Sequence, residues 1–123
     1  MRGLAATVLA ASALVACATP PLAPGQPKDV RGYRIAEYEV LADCFPMDAG
    51  DEVRWRFRSD VPVDFGIEFR DGAAIVQPVS RERVTADEGR FVALAAHRYC
   101  LQWGTGAQGA ALDYALDLRR SSR

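Results

Sequence analysis

The side chains that could perform catalysis are few, and their spacing matches no catalytic arrangement. His97 is the only histidine of the chain, and the hydroxyl residues Ser80 and Thr85 precede it. A nucleophile and its base must be in spatial contact, which this spacing does not by itself provide. We therefore interpret His97 as incidental, and we expect no catalytic residue and no enzymatic activity.

Carboxylates crowd one short segment that contains a proline and a glycine, and such a segment could bind calcium. The four residues are Asp43, Asp48, Asp51 and Glu52. They lack the alternating oxygen ligands of a dedicated calcium loop, so a solvated turn is the simpler interpretation. The glycine-rich "GTGAQG" at 104–109 precedes a predicted strand and opens no helix, which excludes a phosphate-binding loop of the usual kind. The sequence thus predicts no metal site and no cofactor.

Three arginines alternate along one predicted strand and would share one of its faces. They are Arg54, Arg56 and Arg58, spaced about 7 Å apart along a strand. One interpretation is a solvated face, partly neutralised by Asp64, Glu68 or other carboxylates. The other is an anion-recognising strip for an acidic protein or lipid phosphates, because guanidinium groups match such oxygens.

The N-terminal residues have the composition of an export signal. Arg2 precedes an apolar run at 4–16 that is too short to cross a bilayer core of about 30 Å as a helix. Leu14-Val15-Ala16-Cys17 resembles the lipobox of bacterial lipoproteins, which implies cleavage before Cys17 and acylation of that cysteine. The next residue is Ala18 and not the aspartate that commonly signals inner-membrane retention, which favours the outer membrane, facing the periplasm. An ordinary cleaved signal with a chance cysteine, or an uncleaved apolar helix, is the alternative.

Two cysteines remain once Cys17 is lipidated, and this is an even number in an exported chain. They are Cys44 and Cys100. Export favours oxidation, so we expect a disulfide between them. A metal-binding or catalytic thiol is the competing interpretation, but the chain has no Cys-x-x-Cys and a single histidine.

Length and charge limit the domain organisation and the class of partner. The 123 residues suffice for a signal at 1–16, a proline-rich tether at 17–32 that lifts the domain off the membrane, and one domain at 33–120. Acidic residues number 16 against 15 basic residues. Because nucleic-acid binding requires a basic surface, we expect no nucleic-acid partner.

Apolar residues recur with a period of two after residue 33, which is typical of half-buried strands. The clearest case is "EVRWRFRS", where Val53, Trp55 and Phe57 would face inward. This alternation identifies Trp55 and Trp103 as core residues and not as sugar-stacking platforms. Turns are expected at Asp71-Gly72 and at 87–89. The strands are predicted at 33–41, 52–59, 63–69, 73–79, 82–86, 91–94, 99–103 and 111–118, and about eight short strands indicate an all-β sandwich.

Periodicity and charge leave the pairing of the two aromatic strands open. A local hairpin would place Arg58 opposite Asp64 and Arg54 opposite Glu68. In the alternative, an arch through residues 60–62 carries the chain from one sheet to the other.

The stretch "DEVRWRFRSDVPVDFGIEF" resembles a GOLD (Golgi dynamics) domain, in the version found at the C-terminus of animal lipid-transfer-like proteins. The shared features are a W-x-F strand, a short Ser-Asp loop and a V-x-F-G-I-x-F strand. The later "YCLQW" and "LDYAL" are similar to that family's last two strands. The resemblance covers about residues 43–118.

This resemblance implies a jelly-roll-like pair of four-stranded antiparallel sheets, which favours the arch. It would set the Trp55 strand beside the Trp103 strand and the first strand beside the last. Cys44, expected just before the second strand, would then lie near Cys100. GOLD domains are regarded as protein-interaction modules without activity, but their partners and site residues do not carry over to a bacterial lipoprotein.

Two functions follow as expectations. The first is a non-catalytic adaptor, held at the envelope by the lipid on Cys17 and binding an unidentified protein partner. The alternative is a lipoprotein that binds a small ligand, either glycan or lipid, in a cleft at one end of the sandwich.

Overall fold

The computed structural model describes Gly3 and residues 21–121. Cys17 and the residues of the predicted lipobox that precede it lie outside this described part. Residues 21–121 form an all-β domain, and none of them belongs to a helix long and apolar enough to cross a membrane.

Six strands form an antiparallel sheet that curls into a half-barrel. The sheet order is β1-β6-β3-β5-β2, and β4 pairs with β3. The first strand therefore lies beside the last, as expected. The strands are β1 (Lys28–Ile35), β2 (Val40–Met47), β3 (Glu52–Asp71), β4 (Ala74–Val92), β5 (His97–Gly104) and β6 (Ala110–Arg119).

The long strand β3 connects the two halves of this sheet. Its residues 52–59 pair with β6, its residues 64–68 pair with β5, and β4 follows it along the other edge. The register shifts between Arg58 and Val63, around Pro62, which has no N–H for the ladder. On β4, Arg83 adopts a φ of 50° and donates its backbone N–H to Asp64 Oδ1 at 2.8 Å. These features bend both strands at the same level.

The local hairpin between residues 58 and 63 is wrong, because the chain does not fold back there. Arg58 lies opposite Asp113 on β6 and Ala86 on β4. The expected neighbours of Trp55 also need correction. Trp55 lies opposite Leu116, whereas Trp103 lies opposite Phe65. The Trp103 strand therefore pairs with the second half of β3 and not with its Trp55 half.

Other boundaries also differ from the expected strands. Residues 52–59 and 63–69 belong to one strand, and β1 begins at Lys28, five positions before residue 33. The turn expected at 87–89 lies inside β4. Gly89 is needed there because an added Cβ would lie 2.5 Å from the Trp55 indole, so its lack of a side chain gives room to a ring. The turn at Asp71-Gly72 is confirmed, with Gly72 at a φ of 61°.

The core contains most of the inward residues that the period of two predicts, together with apolar residues of β2, and its centre is aromatic. Phe57 and Phe65, from the two halves of β3, have ring centroids 4.9 Å apart. The Trp103 ring meets Phe57 edge-on with centroids 5.9 Å apart, and it is tilted against Tyr114 with centroids 4.6 Å apart. Such pairs contribute about 0.5–1.5 kcal/mol each beyond their buried area. The rings therefore hold the two halves of the curled sheet against each other.

The chain packs on the domain well before residue 33. Ala23, Pro24, Gly25 and Gln26 form a turn in which the Gln26 N–H donates to Ala23 O at 3.1 Å. Gly25 has the positive φ, 73°, that a type II turn requires at its third position. The Gly25 N–H donates to Leu118 O, and Leu22 is buried in the core.

The expected disulfide between Cys44 and Cys100 is confirmed. The two residues lie directly opposite each other in the β2–β5 pair, with the sulfur atoms 2.06 Å apart. Cys44 lies inside β2 and not ahead of a strand, because the segment before β3 forms a strand of its own.

Candidate functional site

A groove of about 660 Å³ lies on the outward face of β1, β6, β3 and β4. Alternation along each strand decides its lining. Phe57 and Tyr114 border the groove but are buried. The exposed charged side chains of the lining are Asp29, Arg31, Arg56, Arg58, Glu88 and Asp113.

Arg56 and Arg58 are the exposed cations on the β3 side of this groove. Within residues 21–121, neither guanidinium group forms an ion pair or a side-chain hydrogen bond. Their cross-strand neighbours are acidic, with Glu88 opposite Arg56 and Asp113 opposite Arg58. Asp113 accepts the Gly32 N–H at 2.7 Å. Both guanidinium groups therefore keep donors for a partner.

The third arginine of the predicted row behaves differently. Arg54 Nε donates to Glu52 Oε2 at 3.0 Å, and Glu52 also contacts Arg90 at 3.4 Å. Arg54 does not line the groove. The structure thus divides the row into one cation paired within the chain and two cations that face the groove.

The two carboxylates considered for neutralising the row are engaged elsewhere. Asp64 accepts the backbone N–H of Arg83, and Glu68 accepts a hydrogen bond from Gln102 Nε2 at 2.7 Å. Both residues follow the bend in β3, where the strand pairs with β5 instead of β6. The bend therefore separates these acids from the arginines.

Trp55 and Trp103 are core residues, as the alternation predicts, since their side chains are 4% and 0% exposed. Trp55 Nε1 donates to Asp87 Oδ2 at 3.1 Å. Trp103 Nε1 is buried without an acceptor among the described residues. With both indoles in the interior, neither ring face is available for sugar stacking.

His97 packs as an aromatic ring within the domain. It stacks on Phe69 with ring centroids 4.4 Å apart and is half-buried. Ser80 and Thr85 lie on β4, and the described contacts include no hydrogen bond from either residue to His97. The structure therefore brings together no nucleophile and base from this set.

The solvated turn expected for the acidic cluster is wrong for Asp43 and Asp51, because both are buried. Asp43 Oδ2 lies 2.6 Å from Lys28 Nζ and accepts the Tyr114 hydroxyl at 3.2 Å. Asp51 instead organises the loop before β3. Among residues 21–121, no three side chains of metal-ligating type converge.

Burial by itself would raise the pKa of Asp51, but its hydrogen bonds reverse the direction. The carboxylate accepts the backbone N–H groups of Ser121 and Asp48, each at 2.9 Å, and the Arg120 guanidinium. Together these donors hold its pKa below the ordinary value of 3.8. The carboxylate thus fastens the end of β6 to the turn that precedes β3.

Sequence reasoning missed the contacts that Lys28 and Tyr114 make with Asp43. Lys28 falls within the predicted tether at 17–32, although it is the only lysine of a chain in which every other lysine-or-arginine position is arginine. The presence of a single lysine is the one feature of the sequence that could have indicated a specific role for Lys28. Tyr114 occupies an inward position of the predicted strand at 111–118 and is buried, but its bond to Asp43 depends on a contact between residues 71 positions apart.

The chain matches no protein-family model, and a search of curated proteins finds none of similar sequence. The predicted lipobox and the geometry of the groove are therefore the features from which a function can be proposed.

Proposed function

We propose that this protein is a bacterial lipoprotein, held by acyl chains on Cys17 at the periplasmic face of the outer membrane, whose β domain is a non-catalytic adaptor for an acidic protein. One observation carries the binding proposal. Arg56 and Arg58 line a groove of about 660 Å³ without an ion pair in the described part of the chain. The lipobox residues, Leu14 to Cys17, support the anchor.

An acidic protein suits this groove better than a small ligand. Arginine is enriched at protein interfaces and dominates many binding hot spots, and its planar fork holds a carboxylate through two hydrogen bonds. Glu88 and Asp113 beside the arginines would position a partner that carries both signs of charge. The volume also suits a small ligand, the alternative function. However, small-ligand sites are usually apolar, and the rings of Phe57 and Tyr114 are buried in the core.

The fold assignment is part of the proposal. If β3 and β4 each count as two strands divided at their bend, the domain has eight strands in two four-stranded layers, as in a GOLD-like jelly roll. One layer would hold β1, β6 and the halves at 52–59 and 86–92, and the other β2, β5 and the halves at 64–71 and 74–84. The pairings and the contact between Phe57 and Trp103 support this arrangement.

The binding proposal is tested by an Arg56→Gln/Arg58→Gln double variant. In cells, chemical crosslinking followed by mass spectrometry should recover a partner from the parent and lose it from the variant. Binding to the identified partner should weaken with added salt, because the contacts are between charged groups. Two other arginines without an ion pair among the described residues, Arg34 and Arg70, provide the control, since Arg34→Gln/Arg70→Gln removes the same charge and should keep the partner. Retention of every crosslink by the Arg56/Arg58 variant would overturn the proposal.

The anchor has an independent test. Cys17→Ser should prevent acylation and release the protein from membranes, and mass spectrometry of the parent should find a mature N-terminus at an acylated Cys17. A variant that fractionates with membranes and keeps the N-terminus of the parent would contradict the lipobox interpretation.

A further inference from the structure

We propose that the end of the domain formed by Leu94 and its neighbouring arginines rests on an anionic phospholipid bilayer, the one that holds the acylated N-terminus. This inference rests on the proposed lipidation of Cys17. It adds an orientation of the domain and a second contact with the membrane. It also departs from the expectation that the proline-rich segment lifts the domain away from the bilayer.

The tether is too short for such a separation. Only Ala18, Thr19, Pro20 and Pro21 lie between Cys17 and the buried Leu22. A fully extended chain spans at most about 3.6 Å per residue, so the Cα atoms of Cys17 and Leu22 are no more than about 18 Å apart. The ten residues of β6 span roughly 33 Å. The segment from Cys17 to Leu22 can therefore span only about half the length of the domain along β6.

Three hydrogen bonds, linked by short stretches of chain, connect the docked N-terminal segment to Leu94 across one end of the domain. The Gly25 N–H donates to Leu118 O at 3.1 Å, and three residues further along the chain the Ser121 N–H donates to Asp51 Oδ1. The Ala93 N–H donates to Asp51 O at 2.9 Å. Leu94, the next residue, thus lies on the same end as the point at which the tether arrives.

Leu94 is the most exposed large apolar residue among those described, with 92% of its surface accessible. The loop around it is fixed at both sides. Ala93 also accepts the Gly50 N–H at 2.8 Å, and Ala95 O accepts the Tyr99 hydroxyl at 2.7 Å. Val92, at the end of β4, adds a second apolar side chain that is 45% exposed. A rigid loop that holds an apolar side chain in water suits insertion into an apolar phase.

The charges around Leu94 favour a phospholipid surface over an apolar protein groove as the occupant. Arg98 follows at the start of β5 and is exposed without an ion pair among the described residues. Arg90 and Arg119 are also largely exposed, with 71% and 57% of their side chains accessible, although each forms an ion pair with one carboxylate, that of Glu52 and Asp117 respectively. Each arginine near an anionic membrane surface attracts lipid phosphates, and an apolar side chain among them would enter the interface.

The inference is tested with the acylated protein in vesicles of phosphatidylglycerol and phosphatidylethanolamine. A nitroxide label on Ala96→Cys leaves Leu94 in place, and a label on Gln108→Cys in the loop after β5 reports on the opposite end. Collision rates with oxygen, which enters the bilayer, and with a nickel chelate, which stays in water, measure the depth of each label. We expect the oxygen-to-nickel ratio at position 96 to rise several-fold on vesicles, while the ratio at 108 stays unchanged. Leu94→Gln should abolish the rise.

The outcomes separate this inference from the function proposed above. If the protein remains on vesicles but position 96 stays as accessible to nickel as position 108, the proposed membrane contact at Leu94 is wrong. The lipid anchor on Cys17 is then unaffected. If the protein does not remain on vesicles, the anchor fails and the inference fails with it. If position 96 loses contact with both colliders, and does so only in whole envelopes, the occupant is a protein, which overturns the membrane assignment.

Discussion

Lys28 and Asp43 form a buried ion pair between the two outermost strands of the sheet. Lys28 Nζ lies 2.6 Å from Asp43 Oδ2, and the side chains are 5% and 8% exposed. Lys28 begins β1 and Asp43 lies in β2, and these strands stand at opposite ends of the order β1-β6-β3-β5-β2. The pair thus joins the two edges that the curled sheet brings together, and the Tyr114 hydroxyl supports the shared carboxylate.

Lys28→Met is expected to destabilise the domain by about 3–5 kcal/mol, because it leaves the Asp43 carboxylate buried without its cation. The double variant Lys28→Met/Asp43→Leu removes both charges and should recover a large part of that loss. Urea denaturation of the parent, the single variant and the double variant measures both effects. A double variant less stable than the single one would contradict this account, because Lys28 would then not stabilise the domain by neutralising the Asp43 carboxylate.

The disulfide should stabilise the domain mainly by restricting the unfolded chain. Cys44 and Cys100 are 56 positions apart, and Cys100→Ala is expected to cost about 2–5 kcal/mol. Thermal unfolding with and without a reductant gives the matched comparison. The melting temperature of the parent should fall in reductant, and that of the variant should not change. Equal melting temperatures for the reduced and oxidised parent would contradict this account.

Local periodicity predicted the buried faces but could not predict which strands pair. A period of two places Val53, Trp55 and Phe57 inward whether the chain forms a hairpin or continues through a bend. The disulfide was predictable because the predicted export signal favours oxidation, and counting the cysteines that remain needs no geometry. The pair of Lys28 and Asp43 was not, because it depends on how the curled sheet brings β1 and β2 together.

Glycine was the least reliable signal in the sequence, and Gly89 is the clearest case. "DEG" is typical of a turn, yet Gly89 lies opposite Trp55 inside β4. The same residue type forms a turn at Gly72 and leaves space for an indole at Gly89, and the local sequence does not distinguish these two uses.

Gly89→Ala is expected to destabilise the domain by about 1–3 kcal/mol, because overpacking displaces a fitted side chain. The added Cβ would lie 2.5 Å from Trp55 Cζ2. Gly106→Ala is the control, since no atom lies within 4 Å of a Cβ added there. Chemical denaturation measures the cost, and a red shift of tryptophan emission would show that the Trp55 ring has moved. If both variants match the parent, the indole is not confined by Gly89.

The stability conferred by Asp51 is expected to depend on pH. Burial acts to raise its pKa, but hydrogen bonds from Ser121, Asp48 and Arg120 hold it below 3.8, the ordinary value expected in the unfolded chain. A group whose pKa is lowered by folding stabilises the folded state fully above the unfolded value. That stabilisation is lost as the pH falls through 3.8 toward the lower folded value.

Asp51→Asn should therefore be less stable than the parent by about 1–3 kcal/mol at neutral pH, because the amide replaces an acceptor that faces three donors. The difference between the two proteins should stay constant from pH 7 to about pH 5 and shrink below about pH 4, where the unfolded carboxyl binds its proton. Asp48→Asn is the matched control, since that side chain is 73% exposed and lies 3.8 Å from Arg120. Urea denaturation at a series of pH values measures the three proteins. A difference for Asp51→Asn that persists unchanged at pH 3 would show that the charge of the carboxylate does not contribute, and that its hydrogen-bonding shape alone holds the end of β6.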